Sequence, residues 1–290
     1  MIIIGLKGGI GNQLFQYAFG RHLALLNNTE LKFDTEGLRR ANDIGNIYRD
    51  FALPAFNIPI AEADRADIIR LKYPLGPLSK AWRLFRGKVL NEYHIKYHER
   101  LLAIRGEYYG DGYYQSPRYF DAIRPTLLTD LTLKNPLSPG AATIATRIAG
   151  ATAVSLHVRR GDYATNPRVI YEYGTCSVAY YRAAMKHVET AAGKPVTYFV
   201  FSDDIAWVKK NLPVGADTVF IDDPTISDVE SLMLMSQCTH NIVANSSFSW
   251  WGAWLNQHLE KLVVAPTPWF EHQPTDPDLI PVDWVRIVKV

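Results

Sequence analysis

The chain has 290 residues, 31 Lys and Arg against 29 Asp and Glu, two cysteines, and 48% hydrophobic residues. At about 150 residues per domain this is two domains or one large one, long enough to bury a core without disulfides or a structural metal. A net charge of +2 argues against a dedicated nucleic-acid binder, which carries a strongly basic domain or stripe. The aromatic share (7 Trp, 16 Tyr, 12 Phe) suits sugar faces and interfaces as well as cores, because Tyr and Trp join an apolar ring to a polar tip.

Cys176 and Cys238 stand 62 positions apart with no Cys/His ligand spacing, so buried reduced thiols are expected ahead of a single disulfide. The opening MIIIGLK does not read as a signal peptide, and no window approaches the ~18 apolar residues of a membrane span. The expected compartment is a reducing cytoplasm.

In chain order, Met1 to Leu6 reads as a buried parallel strand, followed by the glycine turn Gly8-Gly9-Ile10-Gly11. Residues from Ile10 to Leu26 carry a 3.6 period and read as a helix, and Leu31 to Phe33 as the next strand. The proline-rich middle, from about Arg39 to Pro139, reads as irregular, with short helices near 61–72, 77–86, 117–123 and 141–149. Regular alternation resumes after Gly150. Strands are expected at 153–158, 196–202, 218–221, 241–244 and 262–265, and helices at 178–191, 205–212, 227–237 and 247–258. Strands alternating with helices of this length imply βαβ units and parallel sheets. The Asn135–Gly140 stretch is the joint, with residues 1–150 and 151–290 assigned to two α/β halves facing a cleft.

One segment departs from the neutral average. Residues 70–105 hold nine basic and two acidic residues, a net +7 that leaves −5 for the rest. Within it Leu78, Ala81, Trp82 and Phe85 share a helical face interleaved with Lys80, Arg83, Arg86 and Lys88. This is either a surface helix with one core-facing stripe or an interfacial helix over 77–88 that attracts anionic lipid or a phosphate-bearing acceptor.

Parallel sheets bind ligands at the carboxyl ends of their strands. The first such end runs Leu156-His157-Val158-Arg159-Arg160-Gly161-Asp162. An arginine there is a good phosphate ligand through its fixed fork of donors, or else half of a surface pair with aspartate. At Ser202-Asp203-Asp204 the carboxylates could cap a helix, accept from a base or sugar, or hold a metal, for which further ligands are missing from the pattern. At Asn245-Ser246-Ser247-Phe248 a helix start offers N–H groups and hydroxyls to an anion, or simply caps itself. The turn around Gly9, Gly11 and Asn12 is neither a complete GxGxxG nor a Walker A motif.

Taken together, GGIGNQLFQYAFGRHLA (8–24), GYYQSPRYF (112–120), SLHVRRGDY (155–163), YGTCSVAYY (173–181), FSDD (201–204) and LMSQCTHNIVANSSFSWWGAWL (234–255) resemble the bacterial α1,2-fucosyltransferases of glycosyltransferase family 11. The resemblance implies a GT-B fold of two Rossmann-like domains, an N-terminal acceptor-side half with an irregular helical insertion and a C-terminal GDP-sugar-binding half. It implies inverting transfer of L-fucose from GDP-β-L-fucose to the 2-hydroxyl of a galactoside, with no metal or other cofactor. The acceptor would be a galactose-terminated oligosaccharide or lipid-linked glycan.

By the same resemblance Arg159 holds the β-phosphate, with Arg160 beside it, and Ser246, Ser247 and Phe248 contact the diphosphate. Asp203 and Asp204 lie near the nucleoside, and Gly9, Gly11 and Asn12 reach the donor from the other half. Many relatives carry an acidic residue where this chain has Ser231, and Glu230 is taken as the substitute that accepts from guanine. For the catalytic base the candidates are His157, which could equally be a core residue, and Asp162, which could instead orient the arginines. Tyr113, Tyr114 and Trp269 are the expected acceptor-side aromatics. The rival expectations are an inactive GDP-sugar or glycan binder and a transferase using another GDP-sugar.

Overall fold

The computed structural model describes residues 1–39, 49–73, 89–91, 96–215, 217–272 and 278–289, so the basic helix expected at 77–88 lies outside the described residues. Contacts divide the chain into two compact units. The first comprises Met1–Lys134 with Asp276–Leu279, and the second Asn135–Thr275 with Ile280–Val290.

The first unit is built on β1 (Ile2–Gly5), α1 (Ile10–Leu26), β2 (Leu31–Asp34), α2 (Glu36–Arg39), α3 (Arg65–Lys72), β3 (Val89–Asn91), β4 (Tyr108–Asp111) and α4 (Arg124–Asp130). Its sheet has the order β2-β1-β4-β3, with every pairing parallel. Ile3 is opposed by Lys32 on one side and Tyr109 on the other, which leaves β1 in the middle and fully buried. Helix α1 is buried almost all round, because Phe15 and Phe19 meet Phe120 and Tyr114 while Tyr17 meets Phe33. The middle of the chain thus supplies two strands that its composition did not announce. Both are short, and β4 is Tyr-Tyr-Gly-Asp, whose strand character comes from pairing with β1 and β3. The helix expected at 117–123 is instead two single 3₁₀ turns, Pro117–Tyr119 and Asp121–Ile123.

The second unit contains α5 (Pro139–Ala149), β5 (Ala153–Val158), α6 (Gly161–Thr165), α7 (Pro167–Tyr173), α8 (Val178–Ala192), β6 (Thr197–Ser202), α9 (Ile205–Asn211) and β7 (Thr218–Phe220). It continues with α10 (Asp228–Gln237), β8 (His240–Ile242), α11 (Ser247–Leu255), β9 (Val263–Thr267) and β10 (Val285–Val288). The sheet order is β10-β9-β8-β5-β6-β7, again parallel throughout. Strand β5 is buried at every residue, the pattern of a central strand covered on both faces. Alternation sends Val154, Leu156 and Val158 into one core with Tyr180, Ala184 and Val188 of α8. Ala153 faces the opposite core with Phe199, Phe201, Leu234 and Met235.

Ala141 and Ile148 of α5 belong to that opposite core, which is why the division falls at Lys134/Asn135 and not at residue 150. The tryptophans of α11 are core as well: Trp250 and Trp251 are fully buried and pack on each other, Trp254 and Trp284. Cys176 and Cys238 are both free and buried, and burial pushes the Cys176 thiol up to about 11. No helix among the described residues is long and apolar enough to cross a membrane.

The placement of α5 predicts different behaviour for two truncations. A chain starting at Asn135 should unfold cooperatively in urea, followed by tryptophan fluorescence. One starting at Ala151 loses Ala141 and Ile148 from the Phe199/Phe201 core and should unfold at lower urea, by at least about 2 kcal/mol.

Candidate functional site

From β5 the chain of the second unit builds outward to β6 and β7 on one side, and later to β8, β9 and β10 on the other. The strand order therefore reverses between β5 and β8, and open parallel sheets leave a crevice at such a point, outside the carboxyl ends of the strands. Three motifs far apart in sequence meet at this edge. Arg159 and Arg160 follow β5, Asp203 and Asp204 follow its neighbour β6, and Asn245-Ser246-Ser247 follows its other neighbour β8.

Arg159 is held from two directions. One guanidinium nitrogen donates to Asp162 Oδ1 at 2.5 Å, from the first turn of α6, and the other lies 2.9 Å from Asp203 Oδ2. Its guanidinium also sits 5.2 Å from the centre of the Tyr163 ring. Burial works against the charge, but Asp203 and Asp162 outweigh it and hold the guanidinium above its ordinary value. Two of the five guanidinium N–H donors are occupied in this way, leaving the remainder for a ligand.

Asp203 also accepts the Arg160 backbone N–H at 2.8 Å, so this carboxylate fixes both the side chain and the turn that carries it. Arg160 stacks its guanidinium 3.8 Å over Trp207 and pairs with Asp204 at 3.6 Å. Asp204 in turn caps α9 by accepting from Trp207 N–H at 3.0 Å. All three aspartates are thus engaged with arginine or backbone, Asp162 through the Arg159 guanidinium.

His157 is 4% exposed inside β5, with its ring 5.5 Å from Phe248 and its Nδ1 buried without a partner among the described residues. Burial, reinforced by the Arg159 charge, pushes it down to about 3. A ring held neutral down to that pH is uncharged near neutrality and can donate one N–H. Ser246 is the N-cap of α11 and its hydroxyl accepts from Phe248 N–H at 3.4 Å. The first turn of α11 holds no acidic residue, so its positive end is uncompensated by side chains.

Glu230, the expected guanine acceptor, is engaged in a helix cap. It forms a capping box with Ser227, taking that residue's N–H and hydroxyl at 2.9 and 2.8 Å on Oε2, and Oε1 accepts Ser138 N–H at 2.6 Å. These hydrogen bonds overcome burial to bring the carboxyl down to about 2. The Ser-x-x-Glu spacing of a capping box was present at 227–230 in the sequence.

In the first unit the strand order reverses between β1 and β4. Gly8 adopts φ +80°, where a side chain is strained and a Cβ would strike the Asn12 amide, so the turn closes tightly onto α1. Gly9 caps α1 with nothing near its Cα hydrogens, Gly11 is buried in the first turn, and Asn12 Oδ1 accepts from Gln115 at 2.8 Å. Gln13 and Gln16, fully buried, fasten the turn by bonding Gly8, Asp50 and Ala52, and Lys7 and Gly112, respectively. Lys7 pairs with Asp111 at 3.1 Å and lies over Tyr113 at 4.8 Å. Tyr113 is partly buried just past β4, whereas Tyr114 is buried on Phe19 with its hydroxyl on Leu90 O, and Trp269 is packed at 3% exposure. Those two aromatics are core residues and leave the acceptor-side set.

Of the residues that fix this turn, Asn245 was read only as part of the helix start and Lys289 was not singled out in the sequence. Asn245 donates to the carbonyls of Tyr173, Gly174 and Trp269, and Lys289 reaches Tyr173 and Trp269 as well, which locks the turn leading into Ser246. A lone lysine near the end of the chain carries no local signal of such burial.

The fold is of the GT-B type. It is shared with the crystal structure of fucosyltransferase NodZ from Bradyrhizobium, at TM-score 0.53 and 15% identity, covering 87% of this chain and 92% of that one. The chain is 32% identical to Alpha-1,2-colitosyltransferase of Escherichia coli, over 100% of this chain and 99% of the relative. It is 33% identical to the O-antigen biosynthesis glycosyltransferase WbnK of Escherichia coli, over 91% and 93%. The Glycosyl transferase family 11 profile matches residues 88–287, and the chain belongs to that family.

The two shifted groups near this edge predict a two-stage acid response. His157 is neutral when folded and protonates near 6.5 when unfolded, so stability falls as pH drops from about 6.5 towards 3. Glu230, held at about 2 against its ordinary 4.5, adds a loss only between those values. Urea titrations across pH should show Glu230→Gln losing about 1 kcal/mol at neutral pH and lacking the second stage while keeping the first.

Proposed function

We propose that the chain transfers L-fucose from GDP-β-L-fucose to the 2-hydroxyl of a terminal galactoside, with inversion and without a metal. The observation that carries this is the doubly held Arg159 fork at the β5/β8 switch point, beside the open N-terminus of α11. In the reaction the bond from C1 of the sugar to the β-phosphate oxygen breaks, and GDP leaves with the electron pair. The acceptor 2-oxygen bonds to C1 from the opposite face and its proton passes to water. The barrier lies chiefly in the charge that builds on the leaving diphosphate, and fixed donors aimed at that charge lower it most.

Arg159 and the first N–H groups of α11 supply those donors in this reading, with Ser246, Ser247 and the neutral His157 N–H as further hydrogen-bond partners. Asp162, Asp203 and Asp204 are engaged with arginines or backbone, so they act by aiming the fork and not by holding a cation. Proton loss from the acceptor comes late in a loose, cationic transition state and places little demand on a base. The acceptor is a galactose-terminated oligosaccharide or lipid-linked glycan on the cytoplasmic side, a context that the O-antigen relative supports. An intact, positioned Arg159 favours an enzyme over an inactive binder.

A second donor has a specific observation behind it, since a relative matching the whole chain is named a colitosyltransferase. Colitose is L-fucose without its 3-hydroxyl. A site that hydrogen-bonds a hydroxyl rejects the analogue lacking it by about 10⁴–10⁵-fold, whereas one that does not accepts both.

Competition among GDP-fucose, GDP-colitose and GDP-mannose, with a galactose-terminated acceptor and methylation analysis of the product, tests the donor. GDP-fucose should be consumed with substitution at the 2-position and GDP-mannose left untouched. A preference of more than about 100-fold for GDP-colitose would transfer the assignment to that sugar. In the same assay Arg159→Lys, which keeps the charge but loses the fork, should lower kcat by about 10²–10³-fold at unchanged thermal stability.

A further inference from the structure

A row of rings leads away from Arg159 within the second unit. Tyr163 lies beneath the guanidinium, Tyr173 is 5.0 Å from Tyr163, and Phe270 is 5.3 Å from Tyr173. Beyond the row is a cavity of about 570 Å³ lined by Pro167, Ile170, Tyr171, Gly174, Glu271 and His272. Tyr171 is 63% exposed and lies against His272 with ring centres 4.2 Å apart and planes tilted by 33°, so the two present aromatic faces to solvent.

The carboxylate in the cavity is a fixed feature. Glu271 Oε1 lies 3.0 Å from Nζ of Lys289, which is completely buried and spends its other hydrogens on Tyr173 O at 2.5 Å and Trp269 O at 3.3 Å. Gly174, at φ +58°, passes so close that a Cβ would overlap the carboxylate. The second oxygen of Glu271 accepts no hydrogen bond from the described residues and is free for a ligand.

The lining selects among ligands. Glu271 presents an acceptor oxygen whose charge is already paired with Lys289, so it suits a hydrogen-bond donor better than an anion, and an acyl chain would strip water from the carboxylate without replacing its hydrogen bonds. A neutral hexose answers both demands, laying its C–H face on the rings and donating hydroxyls to the carboxylate. We propose that this cavity is a subsite for a neutral sugar residue of the acceptor glycan, remote from the hydroxyl that receives the transferred sugar, with Tyr171, His272 and Glu271 as its specificity-determining residues. Assignment of that sugar to the acceptor rests on the function proposed above, whereas its binding does not.

The test is titration of lactose, N-acetyllactosamine and galacto-N-biose into the GDP-saturated protein, followed by saturation-transfer NMR, with acceptor KM measured in parallel. Tyr171→Ala and Tyr171→Ala/His272→Ala should weaken binding and raise acceptor KM by about tenfold or more, with GDP affinity and kcat at saturating acceptor unchanged. Tyr171→Trp, which restores a ring, should keep wild-type affinity. Unchanged saccharide binding in the double variant overturns the inference, as does a wild-type protein that binds none of the three. Tyr171-dependent binding without consumption of GDP-fucose would support the subsite and remove the donor assignment instead.

Discussion

A guanidinium at the end of a buried strand must be held against the desolvation that its position imposes. Arg159 meets this with Asp162, three residues on in α6, and Asp203, which stands at the end of the neighbouring strand. The second partner exists only because β5 and β6 are adjacent and in register, with Val158 opposite Ser202. The same strand order puts β8 on the other side of β5 and so brings the Ser246 turn to the same edge. Much of the second unit serves this juxtaposition, including two cores, one on each face, that keep β5 straight and covered.

Holding the fork in this way costs net charge. Arg159 and Arg160 sit among three aspartates, so this edge is not a basic patch and does not draw an anion by charge alone. What it offers is direction: unspent guanidinium donors, free N–H groups of α11 and the neutral imidazole of His157, in a partly desolvated crevice where each counts for more than in water. The same economy appears below the site, where Asn245 and Lys289 bind the same carbonyls and fix the turn before Ser246. Orientation is settled before a ligand arrives, which is the condition for electrostatic stabilisation of a transition state.

Much of this was legible in the sequence because the chemistry is local to strand ends. The buried runs at 2–5, 153–158 and 197–202 and the arginine and Asn-Ser-Ser turns announced both the parallel sheets and the edge that matters. Three things were not legible, each for a physical reason. Strands β3 and β4 acquire their character by pairing. Asp203 and Asp204 look free to bind a ligand until the arginines after β5 are placed beside them, and the engagement of Glu230 in a helix cap, marked by its spacing from Ser227, was passed over. Tyr114 and Trp269, polar-tipped rings in promising motifs, are core residues, while the exposed ring of Tyr171 sits in a stretch that no motif marks.

The contact between Arg159 and a β-phosphate is measured most directly by calorimetric titration of GDP and GMP into the wild-type protein and Arg159→Lys. Wild type should bind GDP far more tightly than GMP, and the substitution should erase most of that difference while leaving GMP affinity unchanged. A GDP-over-GMP preference that survives in Arg159→Lys would contradict the assignment of the held guanidinium to the leaving diphosphate.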